Sequence, residues 1–270
     1  MEIALHRIEQ CVDGRLDLSR LGLTELPPLP DGLVELQCAH NHLTSLPPLP
    51  NGLIELQCAH NHLTSLPPLP DELVELHCYS NQLTSLPELP SSLQILSCSG
   101  NQLTSLPSLP LTLTYIGCQF NQLITLPSLP PFLDMVLCDC NRITSLPELP
   151  LYLTYLSCSC NQLTSLPSLH HGLKNLYCSS NELETFPELP STLVGLACVL
   201  PHNDQIYISN EMTPDIVQQL NNENQELMAQ SKERCVTRCK KYKHEIMMVV
   251  WHPTRVAPLI ERGIDLEDVM

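Results

Sequence analysis

Residues 73–92 read LVELHCYSNQLTSLPELPSS, and residues 93–112 read LQILSCSGNQLTSLPSLPLT. The frame LxxLxCxxNxLTxLPxLPxx continues in both directions, with a period of 20 residues, from Leu33 to Thr192. A fixed period of this size marks stacked repeats, in which each unit buries its apolar face only against its neighbours. Positions are counted here from the leucine that opens each unit, so Leu73 is position one and Asn81 position nine.

The pattern dictates local geometry. Around ELHC and its equivalents, apolar and polar residues alternate, as in a short strand with one buried face. Positions four and six point inward: Leu36 and Cys38, for example, or Leu156 and Cys158. The SLPPLP half lacks amide donors at its prolines and biases the preceding residues toward extended forms, which predicts a polyproline-like outer, convex side. One repeat alone cannot offset the entropy of its own ordering, so stability comes from stacking and the ends need caps. The first unit, residues 13–32, carries Leu18 and Leu21 where cysteine and asparagine recur, and a tenth unit begins at Leu193 and breaks at Pro201. The expected organisation is a helical N-terminal cap over residues 1–12, with Cys11 in its core. A solenoid of about ten repeats follows over 13–203, and a helical C-terminal cap or tail over 204–270.

This unit resembles the short leucine-rich repeats of secreted bacterial effector proteins, here with cysteine in the strand, over residues 13–200. The resemblance implies an α/β repeat solenoid with a parallel β-sheet on its concave side, and it implies protein binding. Some members of that family add a C-terminal ubiquitin ligase domain with a catalytic cysteine. Only 70 residues follow Leu200, too few for such a domain, and no cysteine-acid signature like its motif is present. No enzyme is therefore expected; a ligase-like effector using Cys235 or Cys239 is the alternative. The ending MMVVWHPTRVAPLIERGIDLEDVM, residues 247–270, is similar to a C-terminal segment of giant DNA virus proteins, which implies a viral protein acting in the host cytosol.

Nine cysteines occupy position six: Cys38, Cys58, Cys78, Cys98, Cys118, Cys138, Cys158, Cys178 and Cys198. Pointing inward among leucines, they read as small hydrophobes and not as metal ligands. Thiols stacked ~5 Å apart would mispair in an oxidising compartment, so a reducing cytosol is expected. Cys140 and Cys160, at position eight of adjacent repeats, are within disulfide reach, although "small residue" describes that column more simply. The asparagines from Asn41 to Asn181 form a further column, read as bonding backbone groups of the turn after each strand.

The net charge is −16. From Leu33 to Leu200 there are twelve acidic residues against Arg142 and Lys174, which disfavours nucleic acid on the solenoid. Acidity serves solubility or selects a basic partner. No stretch has membrane-spanning length and no secretory signal is evident, so neither membrane nor export is expected. The chain is expected to act as a monomer.

Function is sought on outward strand positions three, five and seven. Position three runs Glu35, Glu55, Glu75, Ile95, Tyr115, Met135, Tyr155, Asn175. The switch from glutamate to apolar side chains predicts a partner-binding surface of Tyr79, Ile95, Tyr115, Phe120, Met135, Leu137, Tyr155 and Tyr177, because exposed apolar patches rich in tyrosine anchor interfaces. Packing of these side chains on one another along the ladder is the competing reading.

No cofactor or metal is expected. His40, His42, His60 and His62 stand in two nearly identical repeats, and duplication accounts for them. Cys235, Cys239, His244 and His252 depart from zinc-finger spacing; Cys235, Cys239, Tyr242, Ile246 and Val249 instead fall on one helical face. Thr213, Pro214 and Asp215 start a helix over 214–229 with Ile216, Leu220 and Leu227 on one side. The basic run Lys232, Arg234, Arg238, Lys240, Lys241 and Lys243 is read as docking on the acidic solenoid end, with nucleic acid or another acidic surface as the alternative. A short helix anchored by Trp251 closes the chain.

Overall fold

The computed structural model describes residues 2–183, 187–199, 206–209 and 212–228. Two compact units divide between Gln122 and Leu123. The first opens with α1 (Glu2–Glu9), followed by β1 (Arg15–Asp17), β2 (Glu35–Gln37), β3 (Glu55–Gln57), β4 (Glu75–His77), β5 (Ile95–Ser97) and β6 (Tyr115–Gly117). These strands pair in parallel with residues 20 apart opposite one another, as in Leu36 with Leu56 and Leu56 with Leu76. The second holds β7 (Met135–Leu137), β8 (Tyr155–Ser157), β9 (Asn175–Tyr177) and β10 (Gly195–Val199), also parallel. After β10 the chain reverses into β11 (Ile206–Ser209), which pairs antiparallel with it, and then forms α2 (Pro214–Met228).

The core follows the repeat. Leu73, Leu76, Cys78 and Leu83, at positions one, four, six and eleven, have no exposed surface, and the other full repeats are alike. A turn precedes each strand, closed in the fourth repeat unit by Leu73 N–H donating to Pro70 O over 3.2 Å. The proline-rich segments make neither helix nor strand apart from an isolated bridge between Thr125 and Ser145, in keeping with an extended outer side.

The asparagine column closes the turn after each strand. Asn101 Oδ1 accepts Leu83 N–H at 2.9 Å, and its Nδ2 donates to Cys78 O, Cys98 O and Ser99 O at 3.1, 3.0 and 3.2 Å. One side chain thus satisfies backbone groups of two repeats in a buried turn. Position eight has a requirement the letters conceal. His40, His60, Ser80, Phe120, Cys140, Cys160 and Ser180 all adopt positive φ, between 51° and 56°, and Gly100 stands at 62°. The column is a left-handed turn position, a conformation costing roughly 1–2 kcal/mol for a non-glycine residue. It is not simply a site for small residues, as Phe120 shows.

Helices stand at both ends, and α2 starts at Pro214 as its sequence signals, but the packing of the N-terminal one differs from expectation. Helix α1 stops at Glu9 and buries only Ala4, leaving Ile3, Leu5 and Val12 exposed. Cys11 is half-buried, and its thiol donates to Arg15 O at 3.4 Å instead of lying in a cap core. Thr213 Oγ1 accepts Ile216 N–H at the start of α2. The buried face of α2 is Val217, Leu220 and Asn221, and Ile216 lies at its margin. Asn221 exchanges two hydrogen bonds with the Leu189 backbone, at 2.8 and 3.0 Å. The basic run, Cys235, Cys239, His244, His252 and Trp251 lie outside the described residues.

Replacing Asn101 with alanine orphans the buried Leu83 N–H and removes one of two donors from Cys78 O, Cys98 O and Ser99 O, which keep Asn81, Asn121 and Ser80 respectively. It is expected to destabilise the chain by about 2–4 kcal/mol, read as a lower urea midpoint. Gln102→Ala, at the exposed neighbour, is expected to leave the midpoint nearly unchanged.

Candidate functional site

The solvent-facing side of the sheet in the first unit carries a carboxylate ladder. Glu35, Glu55 and Glu75 are register neighbours on β2, β3 and β4. Gln37 and Gln57 each donate to the glutamate two residues earlier at 2.7 Å. On β4 an imidazole takes the glutamine's place, with His77 Nε2 3.3 Å from Glu75 Oε2, and this hydrogen bond holds the Glu75 carboxyl below its usual range. Among the described residues, Glu55, Glu75 and His77 are the one group of three whose metal-ligating atoms lie within 4.8 Å of one another. The histidine pairs flagged by sequence stack instead: His40 on His60 at 4.3 Å and His42 on His62 at 5.7 Å between ring centroids.

The apolar residues of the sheet face lie down on the sheet. In the first unit Tyr79 is buried edge-on against His60, and Tyr115 is 8% exposed, its hydroxyl only 2.7 Å from where a Cβ on Gly117 would stand. Burial pushes the Tyr115 hydroxyl pKa up. Ile95 and Phe120 are half-buried. In the second unit Met135, Leu137 and Tyr177 are buried. Tyr155 is half-buried, with its ring centroid 5.3 Å from that of Tyr177. The Tyr177 hydroxyl covers Gly195 much as Tyr115 covers Gly117. The expected exposure is therefore corrected: five of these eight side chains, Tyr79, Tyr115, Met135, Leu137 and Tyr177, are buried, and for Tyr115 and Tyr177 a glycine in the sheet leaves room for the ring to fold flat.

Large exposed apolar groups lie elsewhere, at positions 19 and 20. In the second unit Phe132 is 59% exposed, Leu151 76% and Tyr152 63%, and the Phe132 and Tyr152 rings are 5.6 Å apart. At position 20 of other repeats a hydroxyl ties successive turns together: Thr112 Oγ1 donates to Ser91 O and Leu93 O at 2.8 Å. Phe132 cannot do this, so its aromatic ring answers no need of the turn. Sequence reasoning passed over these positions because they are turns. The available signal was apolar residues, Pro131-Phe132 and Leu151-Tyr152, where other repeats carry Asp-Gly or Ser-Ser.

The column thiols are poor nucleophiles. Cys38 and Cys78 are pushed up to about 12 by burial, and Cys58, Cys98 and Cys158 are raised by the same cause. Asp139 is a buried acid on the same sheet. It accepts Ser157 Oγ and Ser159 N–H, each at 2.7 Å, yet desolvation outweighs these bonds and raises its pKa to about 6.

The leucine-rich repeat family model matches residues 92–113. The chain is similar to the solved structure of YopM, a leucine-rich effector protein from Yersinia pestis: 40% identity over 73% of this chain and 58% of that one, TM-score 0.70. YopM from Yersinia enterocolitica is 33% identical over 74% and 59% of the two chains, TM-score 0.40. The leucine-rich repeat domain of a Shigella effector is 28% identical over 73% of each, TM-score 0.40. The chain thus spans under two thirds of either Yersinia protein. A comparison with curated proteins finds no match. The fold is a leucine-rich repeat solenoid, an architecture typical of protein–protein interaction modules and of bacterial effectors. No helix among the described residues is long and apolar enough to cross a membrane.

Asp139 gives a pH signature of definite sign. Its folded pKa, about 6, lies above the ~3.9 of an unfolded aspartate. Below that lower value both states hold the proton and nothing is lost. As pH rises from ~4 to 6 the unfolded chain ionises first, and stability falls by about 3 kcal/mol in total. The difference in unfolding free energy between wild type and Asp139→Asn is expected to shift in the variant's favour across this window, measured by denaturation at pH 4, 5, 6 and 7.5. A difference independent of pH would refute the assignment.

Proposed function

We propose that the chain is a non-catalytic protein-recognition module acting in a host cell's cytosol. The observation that carries this is the ridge of Phe132, Leu151 and Tyr152, apolar side chains exposed to solvent at successive turns. Rigid aromatic groups lose little entropy on docking and serve as anchors. In the second unit Tyr155 also keeps exposed surface and contributes to the partner contact; in the first unit Ile95 and Phe120 keep exposed surface of their own. Met135, Leu137 and Tyr177 in the second unit, and Tyr79 and Tyr115 in the first, are buried within their own unit and support its sheet face. Acidic residues around them favour a basic partner.

Cytosolic action is supported by the thiol column, in which Cys38, Cys58, Cys78 and Cys98 are free. It is supported also by the likeness to YopM, an effector protein. The viral origin rests on the sequence of residues 247–270, outside the described residues. Cys235 and Cys239, on which a ligase activity would depend, lie outside them as well.

A double variant, Phe132→Ser with Tyr152→Ser, removes exposed groups and is expected to cost stability of no more than about 0.5 kcal/mol per site. In a pull-down from host cytosol it is expected to lose a partner that wild type retains. A partner retained equally by both would move the contact off the ridge. A thioester formed with charged ubiquitin-conjugating enzyme would sink the non-catalytic reading.

A further inference from the structure

The glutamate ladder of the first unit poses an electrostatic problem. Parallel strands lie ~4.8 Å apart, and like charges directly opposite one another are destabilising. The two ends of the ladder have positive or protonatable neighbours: Arg15 Nε is 3.5 Å from Glu35 Oε2, and His77 Nε2 is 3.3 Å from Glu75 Oε2. Glu55, between Glu35 and Glu75, is held by the neutral amide of Gln57. The middle of the ladder is where a cation is most needed, and it is also where an imidazole comes within reach of two carboxylates. All three side chains are half-buried, which reduces screening by solvent.

We propose that Glu55, Glu75 and His77 form a binding site for a divalent transition-metal cation of the zinc, cobalt or nickel class. Two carboxylate oxygens and one imidazole nitrogen make a borderline donor set that suits these ions better than calcium or magnesium, which take oxygen alone. Bonds of about 2.0–2.2 Å require donors now within 4.8 Å to close on a common centre. Rotation of the two glutamate side chains supplies that movement while β3 and β4 stay fixed. Three protein ligands leave the remaining coordination positions to water, so the site is of the open kind. The bound cation would neutralise the repulsion between Glu55 and Glu75. The stacked histidines are not part of the site: His40 and His60 occupy position eight and His42 and His62 position ten, beyond the strand ends that carry the glutamates.

The test uses the full chain carrying Cys235→Ser and Cys239→Ser, stripped with chelator, so that those two thiols do not compete. Cobalt(II) is titrated and followed by visible absorption, and zinc(II) by calorimetry. One ion per chain is expected, with affinity reduced about tenfold or more by either Glu55→Gln or His77→Ala. The paired variant His40→Ala with His60→Ala is expected to bind as the parent does. Thermal unfolding without metal checks that each variant is folded. With metal, a rise in Tm is expected for the parent and not for His77→Ala. Absence of binding at millimolar metal overturns the proposal, and so does affinity unchanged by His77→Ala. Loss of binding in the His40 and His60 variant alone also overturns it, because the ion would then sit on the imidazole stack.

Discussion

Everything in this fold depends on satisfying the backbone of a buried turn. After each strand the chain bends inward across the core, where unbonded N–H and C=O groups would each cost on the order of 1–3 kcal/mol. Asparagine carries an acceptor and two donors on a short stem. At position nine it reaches one backbone N–H and up to three carbonyls at once. Two of those partners belong to the preceding repeat, so the same side chain that closes a turn also sets the offset to its neighbour. The strict 20-residue period is the sequence consequence.

The thiol column is a packing solution under the same constraint. Strands of three residues leave little room between successive inward columns, and cysteine fills it with a compact apolar group. Burial raises the thiol pKa of Cys38 and Cys78, which disfavours both metal binding and nucleophilic chemistry there. The abundance of thiols in the column therefore reflects packing and not a reaction. Chemical interest moves to the carboxylates, the lone sheet imidazole and the exposed rings.

The period places a side chain on one face of the sheet but does not say what that side chain does there. Tyr115 and Tyr177 were legible as outward residues of the sheet. That they lie flat follows from Gly117 and Gly195, which stand two and eighteen residues away in the chain and leave space for a hydroxyl. The exposed ridge was hidden for the opposite reason: Phe132 and Tyr152 sit in turns, where local rules predict polarity and a departure looks like noise. Position eight was legible as a column only. Its left-handed backbone is a property of the turn, and residues as different as serine and phenylalanine submit to it.

The sequence by itself determined the repeat, the inward leucines, the thiol column, the asparagine turns and the start of α2, because each is set by spacings within about 20 residues. Only the tertiary structure decided which side chains meet across strands. Stacking brings Glu55 to Glu75 and His77, lays tyrosines over glycines, and returns the chain after β10 as an antiparallel strand. These outcomes depend on lateral contacts between residues 20 apart and on how much room each neighbour leaves. A periodic pattern specifies that such contacts exist, but their energies come from packing and charge in three dimensions.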